Sequence, residues 1–198
     1  MELKLRSLFS LLFIILIFLP VISCKENYTP KQKGFIRIDY PEKQYAPYYA
    51  RQGFSFEYPV YAKITGDSVS SHPDWLNIEF PQFDGKIYLS YIRIHRDPGK
   101  HVDESRDLVY KHTIKAESIT ESLINLPQKK VFGIFYEIKG NAASPVQFFV
   151  TDSMRNFLRG SLYFNTQPNQ DSLAPVIQFI QQDIDHFIKS LEWDSVNK

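Results

Sequence analysis

Apolar and polar positions alternate along most of this chain, and the places where the period changes outline its elements. Gly53-Phe54-Ser55-Phe56-Glu57-Tyr58-Pro59 alternates at period two, the pattern of a strand with one face against a core, and Val60 to Ile64 reads as its continuation past a bend at Pro59. Upstream, Gly34-Phe35-Ile36-Arg37-Ile38-Asp39-Tyr40-Pro41 is an extended segment stopped by proline. After a polar loop over Gly66 to Pro73, Trp75 to Pro81 is a short strand, and Asp84-Gly85 supplies a hairpin turn into Lys86 to Ile94. Strand patterns recur over Lys130 to Lys139, ended by Gly140-Asn141, over Val146 to Asp152, and over Arg155 to Asn165.

Helical spacing replaces alternation in two places. His95 to Val102 reads as a loop carrying Asp97-Pro98-Gly99, and Asp103 as the cap of a helix from Glu104 to about Ile119. Leu108, Val109, His112, Ala116 and Ile119 would share its apolar face, with a further helical turn over Glu121 to Leu126. Near the C-terminus, Leu173, Val176, Ile177, Ile180, Ile184, Phe187, Ile188 and Leu191 recur every three or four residues, while Gln181, Gln182, Asp185 and Lys189 fall opposite. Ser172 is expected to cap this helix, which puts Pro175 in the first turn, where no intrahelical donor is lost. The prediction is an α+β fold, a mostly antiparallel β-sheet with a mid-chain helix and a C-terminal amphipathic helix packed on it. That order is similar to the Mog1/PsbP-like arrangement, a likeness of fold that carries no chemistry.

The first residues obey a different rule. A basic start containing Lys4 and Arg6 precedes a run of about 15 mostly apolar residues from Leu8 to Ile22. A permanent membrane span needs roughly 20. Val21-Ile22-Ser23-Cys24 resembles a lipobox, in which small Ser23 opens the bond to the peptidase and the thiol of Cys24 takes the lipid. Residues 1–23 are therefore read as a lipoprotein signal peptide, Cys24 as the lipidated first residue, 24–33 as a polar tether and 34–198 as a single globular domain. Two or three acyl chains give a stable anchor where one does not. Lys25 follows the cysteine where an aspartate would mark inner-membrane retention, which favours an outer-membrane place and leaves the direction it faces open.

Composition narrows the class further. Removing the leader's Lys4, Arg6 and Glu2 from 23 basic and 22 acidic residues leaves 21 of each, a balance that argues against a nucleic-acid partner. Aromatic residues make up 15% of the chain, with 16 Phe and 12 Tyr, as suits a sheet-rich body. Cys24 is the only cysteine, so no disulfide competes for it.

Candidate chemistry is sparse. His95-x-Asp97-x-x-x-His101-x-Asp103, with His72 and Asp74 earlier, has ligand-type side chains but matches no metal signature, so no metal or other cofactor is assigned. His112 on the predicted apolar stripe would turn toward the sheet, as a core histidine or a functional one. No nucleophile elbow, Walker loop or His-Glu-x-x-His motif occurs, and the carboxylates Glu137 and Asp152 have no distinguishing spacing. Asn141, Ser144, Asp152, Arg155, Arg159 and Asn165, near strand ends, are candidates for a partner-binding edge or for turn hydrogen bonds. Tyr45, Tyr48 and Tyr49 make a candidate contact surface.

Two blocks then match a known family in order: Glu104-Ser105-Arg106-Asp107-Leu108-Val109-Tyr110-Lys111-His112-Thr113-Ile114-Lys115-Ala116 and Tyr136-Glu137-Ile138-Lys139-Gly140-Asn141-Ala142-Ala143-Ser144-Pro145-Val146-Gln147-Phe148. With Phe157 to Asn165, Asp171 to Val176 and the segment from Gly34, the chain resembles the gliding motility lipoproteins GldD of Bacteroidetes. The resemblance implies an envelope lipoprotein needed for gliding and linked to the type IX secretion machinery that exports motility adhesins, with no enzymatic reaction to carry over. The expected partners are the membrane, through the lipid, and gliding and secretion proteins; no small-molecule substrate is identified. The alternatives are an envelope enzyme with histidines and carboxylates in a cleft, or a binding module with exposed aromatics along a groove, acting on peptidoglycan or glycan.

Overall fold

The computed structural model describes residues 37–66 and 75–194. The chain divides into two units, 1–37 and 38–198, and every described strand and helix belongs to the second. Cys24, the leader, the tether, His72 and Asp74 lie outside the described residues.

Among the described residues, ten strands form two sheets. The smaller joins β1 (Tyr45–Ala50), β2 (Phe54–Pro59) and β10 (Glu192–Trp193) in the order β1-β2-β10. The larger contains β3 (Lys63–Gly66), β4 (Leu76–Phe80), β5 (Gly85–Arg93), β6 (Ala116–Leu126), β7 (Val131–Gly140), β8 (Val146–Thr151) and β9 (Asn156–Phe164) in the order β3-β4-β5-β9-β8-β7-β6. Their pairings are antiparallel throughout. Helix α1 is Gly99–Tyr110 and helix α2 is Gln170–Ser190. The small sheet and α2 share the main core with one face of the large sheet, where Phe54, Phe56, Phe80, Leu89, Phe148, Leu162, Ile180, Ile184 and Phe187 are buried. On the other face, Val109 of α1 packs with Tyr136, Ile138, Phe149 and Phe157. This is the α+β arrangement the periodicities predict.

Three local expectations are corrected. The mid-chain helix starts at Gly99 and ends at Tyr110, and Asp97 rather than Asp103 sits at its start, its Oδ1 accepting the Gly99 N–H at 2.8 Å. Asp103 is an exposed residue inside α1. After a 3₁₀ turn over Lys111–Ile114 the chain becomes strand β6, so neither the helix to Ile119 nor the turn over Glu121 to Leu126 exists. The reason is visible in the packing: Ile119 joins the core on the α1 side while Ile124 and Leu126 join the opposite one, a division that only a strand's two faces can serve.

At the other helix, Asn169 caps α2 by accepting the Ser172 N–H at 3.2 Å, so the helix begins before Ser172. Pro175 therefore lies beyond the first turn, and the helix forgoes the bond that residue 175 would donate. Finally, Val60 to Ile64 does not prolong β2. The chain turns after Pro59, where Ala62 N–H donates to the Pro59 carbonyl, and β3 crosses into the large sheet.

Some strand approaches leave no room for a side chain. A Cβ on Gly133 of β7 would stand 1.9 Å from the Phe149 carbonyl oxygen, whereas one on Gly66 would meet nothing within 4 Å. Gly133→Ala is expected to cost about 2 kcal/mol or more, against about 0.5 kcal/mol or less for Gly66→Ala, in urea unfolding of the chain without its leader. Equal midpoints for the two variants would contradict this packing.

Candidate functional site

Two polar assemblies lie among the buried side chains of this fold. The first is built on Asp183. Helical spacing from Ile180 to Phe187 puts this residue on the buried face of α2, where it is 2% exposed. Its Oδ1 accepts the Tyr45 hydroxyl at 3.0 Å and lies 2.7 Å from Lys43 Nζ, while Oδ2 accepts the Tyr61 hydroxyl at 2.6 Å. Lys43 also donates to the Phe179 carbonyl at 2.7 Å and stands over the Phe179 ring, 3.4 Å from its centroid. Tyr45 stacks on His186 with 3.6 Å between centroids, and His186 Nε2 is 2.6 Å from Glu57 Oε2. Burial, reinforced by the Asp183 carboxylate, pushes the Tyr45 and Tyr61 hydroxyls well above the usual tyrosine pKa. Burial pulls the Lys43 ammonium down, and Asp183 opposes that shift. The donors of this cluster are spent within the fold, so its chemistry is that of a clamp.

The second assembly lies on the α1 face of the large sheet. Strand register aligns Asn77, Tyr88, Ser161, Gln147, Tyr136 and Glu121 in one cross-strand row from β4 to β6. Arg159, two residues from Ser161, donates from its guanidinium to Gln147 Oε1 at 2.6 Å. The Gln147 Nε2, Ser161 Oγ and Tyr136 hydroxyl are buried with no hydrogen-bond partner. A buried polar group left so costs about 1–3 kcal/mol. Burial lowers the Arg159 pKa, with Tyr163 opposing it. Burial, then the nearby Arg159 charge, lowers that of His112. Beyond Tyr163, a groove of about 750 Å³ is lined by Glu79, Lys86, Tyr88, Tyr163 and Asn165, with the two tyrosine rings edge-on at 5.6 Å.

The candidate residues separate among these places. Tyr45 belongs to the clamp, Tyr48 packs on Phe56 and Tyr58, and Tyr49 points outward. Of the strand-end set, Asn141 accepts the Gln170 N–H at the start of α2, and buried Ser144 donates to the Val146 carbonyl. Asp152 organises the β8–β9 turn, its Oδ1 accepting the backbone N–H of Met154, Arg155 and Asn156 at 2.7 to 2.9 Å. Burial raises its pKa and those hydrogen bonds outweigh it, so the carboxyl stays below the usual value. Arg155 and Asp152 line a groove of about 640 Å³ with Arg93, Lys130 and Trp193. Asp152 with Arg155, and Arg159 with His112, are the candidates the fold brings together, and Arg159 also meets Gln147, which no motif in the sequence singles out.

His95 is exposed, and His101 lies 3.3 Å from Glu104 on α1 itself; neither lines either groove. Among the described residues no group of three or more His, Cys, Asp and Glu is placed to hold a metal ion. Asp183 did leave a signal, since it falls on the apolar stripe by spacing. Gln147 left a weaker one, as a polar residue inside the apolar run from Val146 to Val150.

The clamp has a pH signature. Unfolded tyrosines ionise near pH 10, while the folded Tyr45 and Tyr61 keep their protons above it, so the stability they confer is full below pH 10 and falls as pH rises further. Lys43 acts oppositely and only below about 10.5. Tyr61→Phe is expected to lose about 1–3 kcal/mol at neutral pH by orphaning Asp183 Oδ2, and to show a shallower alkaline decline. Urea unfolding at about pH 7 and about pH 11 reads both effects; an unchanged alkaline slope would refute the assignment.

Comparison with known proteins supplies the family. A search of the curated proteins found no match. Among solved structures, the chain is similar to cyanobacterial PsbP (CyanoP) from Synechocystis sp. PCC 6803, with 10% identity and a TM-score of 0.46 over 88% of this chain and 99% of that one. The family model of the gliding motility lipoprotein GldD matches residues 25–193, which takes in the clamp, the polar row and both helices. The chain belongs to the GldD family of gliding motility lipoproteins.

Proposed function

We propose that this chain works noncatalytically, held at the outer membrane by acyl chains on Cys24 and acting through protein contacts with the gliding and type IX secretion machinery. The geometric observation that carries this reading is the free edge of the large sheet. β6 ends that sheet with 11 residues, seven of them exposed, and among the described residues no strand pairs with its outer side. Such an edge is a ready template for a strand from another chain, and folded proteins usually protect it with proline, a bulge or a covering element. The only irregularity in β6 is a register shift near Ala116, at its start.

Beside β6, a groove of about 600 Å³ runs to α2, lined by Ile124, Leu126, Phe135, Gln182 and Ile188. On the opposite side of the strand Leu123 is 79% exposed. An extended partner segment laid along β6 would gain main-chain hydrogen bonds from the edge and side-chain contacts from the groove. Confinement to a membrane raises the effective concentration of the chain for partners in the same membrane, so a modest edge contact suffices.

The anchor and the edge can be tested separately. Cys24→Ala is expected to move the protein from the membrane to the soluble envelope fraction and to abolish gliding; unchanged fractionation and motility would refute the anchor. Leu123→Asp is expected to leave unfolding free energy within about 0.5 kcal/mol, because the residue touches little, while impairing gliding. Normal gliding in that variant would count against β6 as the contact edge.

A further inference from the structure

The groove of about 640 Å³ runs across one end of the large sheet, where the order β5-β9-β8-β7 brings together the last residue of β5, the β8–β9 turn and the turn before β7. β10 adds Trp193, whose indole N–H donates to the Lys130 carbonyl at 3.0 Å. Pairing fixes how its cations approach. Arg93 is the register partner of Asn156, so Arg155 stands beside it on the β5 side. The pairing of Phe132 with Thr151 runs on toward the β8–β9 turn, so Lys130 arrives from the β7 side.

Charge decides what such a groove can take. Its lining carries the cations Arg93, Lys129, Lys130 and Arg155 and the carboxylates Asp152, Glu192 and Asp194. Lys129 lies 3.4 Å from Glu192 and donates to the Lys189 carbonyl at 2.8 Å. Asp152 has both oxygens taken, Oδ1 by three backbone N–H groups and Oδ2 by the Asn156 amide at 2.7 Å. Arg93, Lys130 and Arg155 are exposed and, among the described residues, have no carboxylate within ion-pair distance. Three cations thus stand against the single carboxylate of Asp194, an excess of two. Apolar surface completes the lining, from Trp193 and from Met154, which is 55% exposed in the β8–β9 turn.

We propose that this groove binds a phosphomonoester, its phosphate met by Arg93, Arg155 and Lys130 and its carbon body laid against Trp193 and Met154. Such a group carries about −1.5 to −2 charge at neutral pH, which matches the excess, whereas a carboxylate leaves one cation over. Its three terminal oxygens point in different directions, so cations arriving from two sides each find one, while a carboxylate offers two oxygens in a single plane. Arginine grips a phosphate through paired N–H groups and lysine meets it as a point charge. The groove is open to water, so the attraction is screened and binding weakens as salt rises. Soluble phosphate esters and lipid headgroups both carry this group, and the two sources are separable by experiment.

Titration of the full chain without its leader tests this at neutral pH, with the Trp193 indole N–H resonance and calorimetry as readouts. The probes are phenyl phosphate, benzoate as the carboxylate of the same body, and phenol as the neutral one. Saturable shifts are expected with phenyl phosphate, with much weaker ones from benzoate and none from phenol. Arg155→Gln keeps the backbone N–H that Asp152 accepts, and Lys130→Gly acts at a φ of 52°, a backbone conformation that favours glycine, so both variants should keep their thermal midpoints. Each is expected to weaken phenyl phosphate binding by about threefold to tenfold.

Co-sedimentation with phosphatidylcholine vesicles, with and without phosphatidate, separates the sources. Retention on phosphatidate vesicles alone, lost in both variants, identifies a headgroup; phenyl phosphate binding without such retention identifies a soluble ester. Three results would overturn the proposal: neither a saturable shift with phenyl phosphate nor retention on phosphatidate, benzoate binding as tightly as phenyl phosphate, or binding unchanged in both variants.

Discussion

A carboxylate that has been taken out of water must find its hydrogen bonds inside the protein, and Asp183 finds three from three separate stretches of chain. Lys43 comes from the segment before the first strand, Tyr45 from β1, and Tyr61 from the turn that carries the chain from the small sheet to the large one. None of these is near α2 in sequence. The requirement that each Asp183 oxygen be satisfied therefore binds the N-terminal stretch, both sheets and the closing helix into one arrangement. Removing a single donor exposes a buried charge rather than merely deleting a contact. Around this polar centre the contacts are aromatic: Tyr40 stacks on Phe179, Phe83 meets the same ring edge-on, and Tyr45 lies on His186.

Residues 38–45, where the second unit begins, are held to α2 by Lys43, Tyr45 and the Tyr40–Phe179 stack. The proposed contact edge β6 lies at one end of the seven-strand order, and β3, which follows the clamp residue Tyr61, lies at the other.

The large sheet spends its two faces differently. One is sealed by α2 and the small sheet with side chains that are apolar almost throughout. The other has an apolar cluster under α1 that includes Tyr136, and beside it carries the polar row from Asn77 through Ser161 to Gln147. A sheet built only for stability has no use for unpaired Gln147 and Ser161 in its central strands, where valine and alanine would serve.

Local pattern was enough to locate the apolar stripe of α2, the strands from Trp75 to Ile94, and the three from Lys130 onward, because alternation and helical spacing are properties of neighbouring residues. It also made the GldD resemblance and the lipobox reading possible, through short runs of side chains in order. It failed between Lys111 and Leu126, where helix and strand have similar local appeal and pairing with β7 decided for the strand. Asp103 and Ser172 each looked like a cap on local chemistry alone, yet α1 begins before the first and Asn169 caps α2 ahead of the second. Arg159 and His112 were legible as candidates, but Gln147 and Ser161 were not, since strand register alone sets them opposite each other. The Asp183 cluster was beyond reach for the same reason: side chains 122 to 140 positions apart meet only after the chain has closed, and no window of sequence contains that geometry.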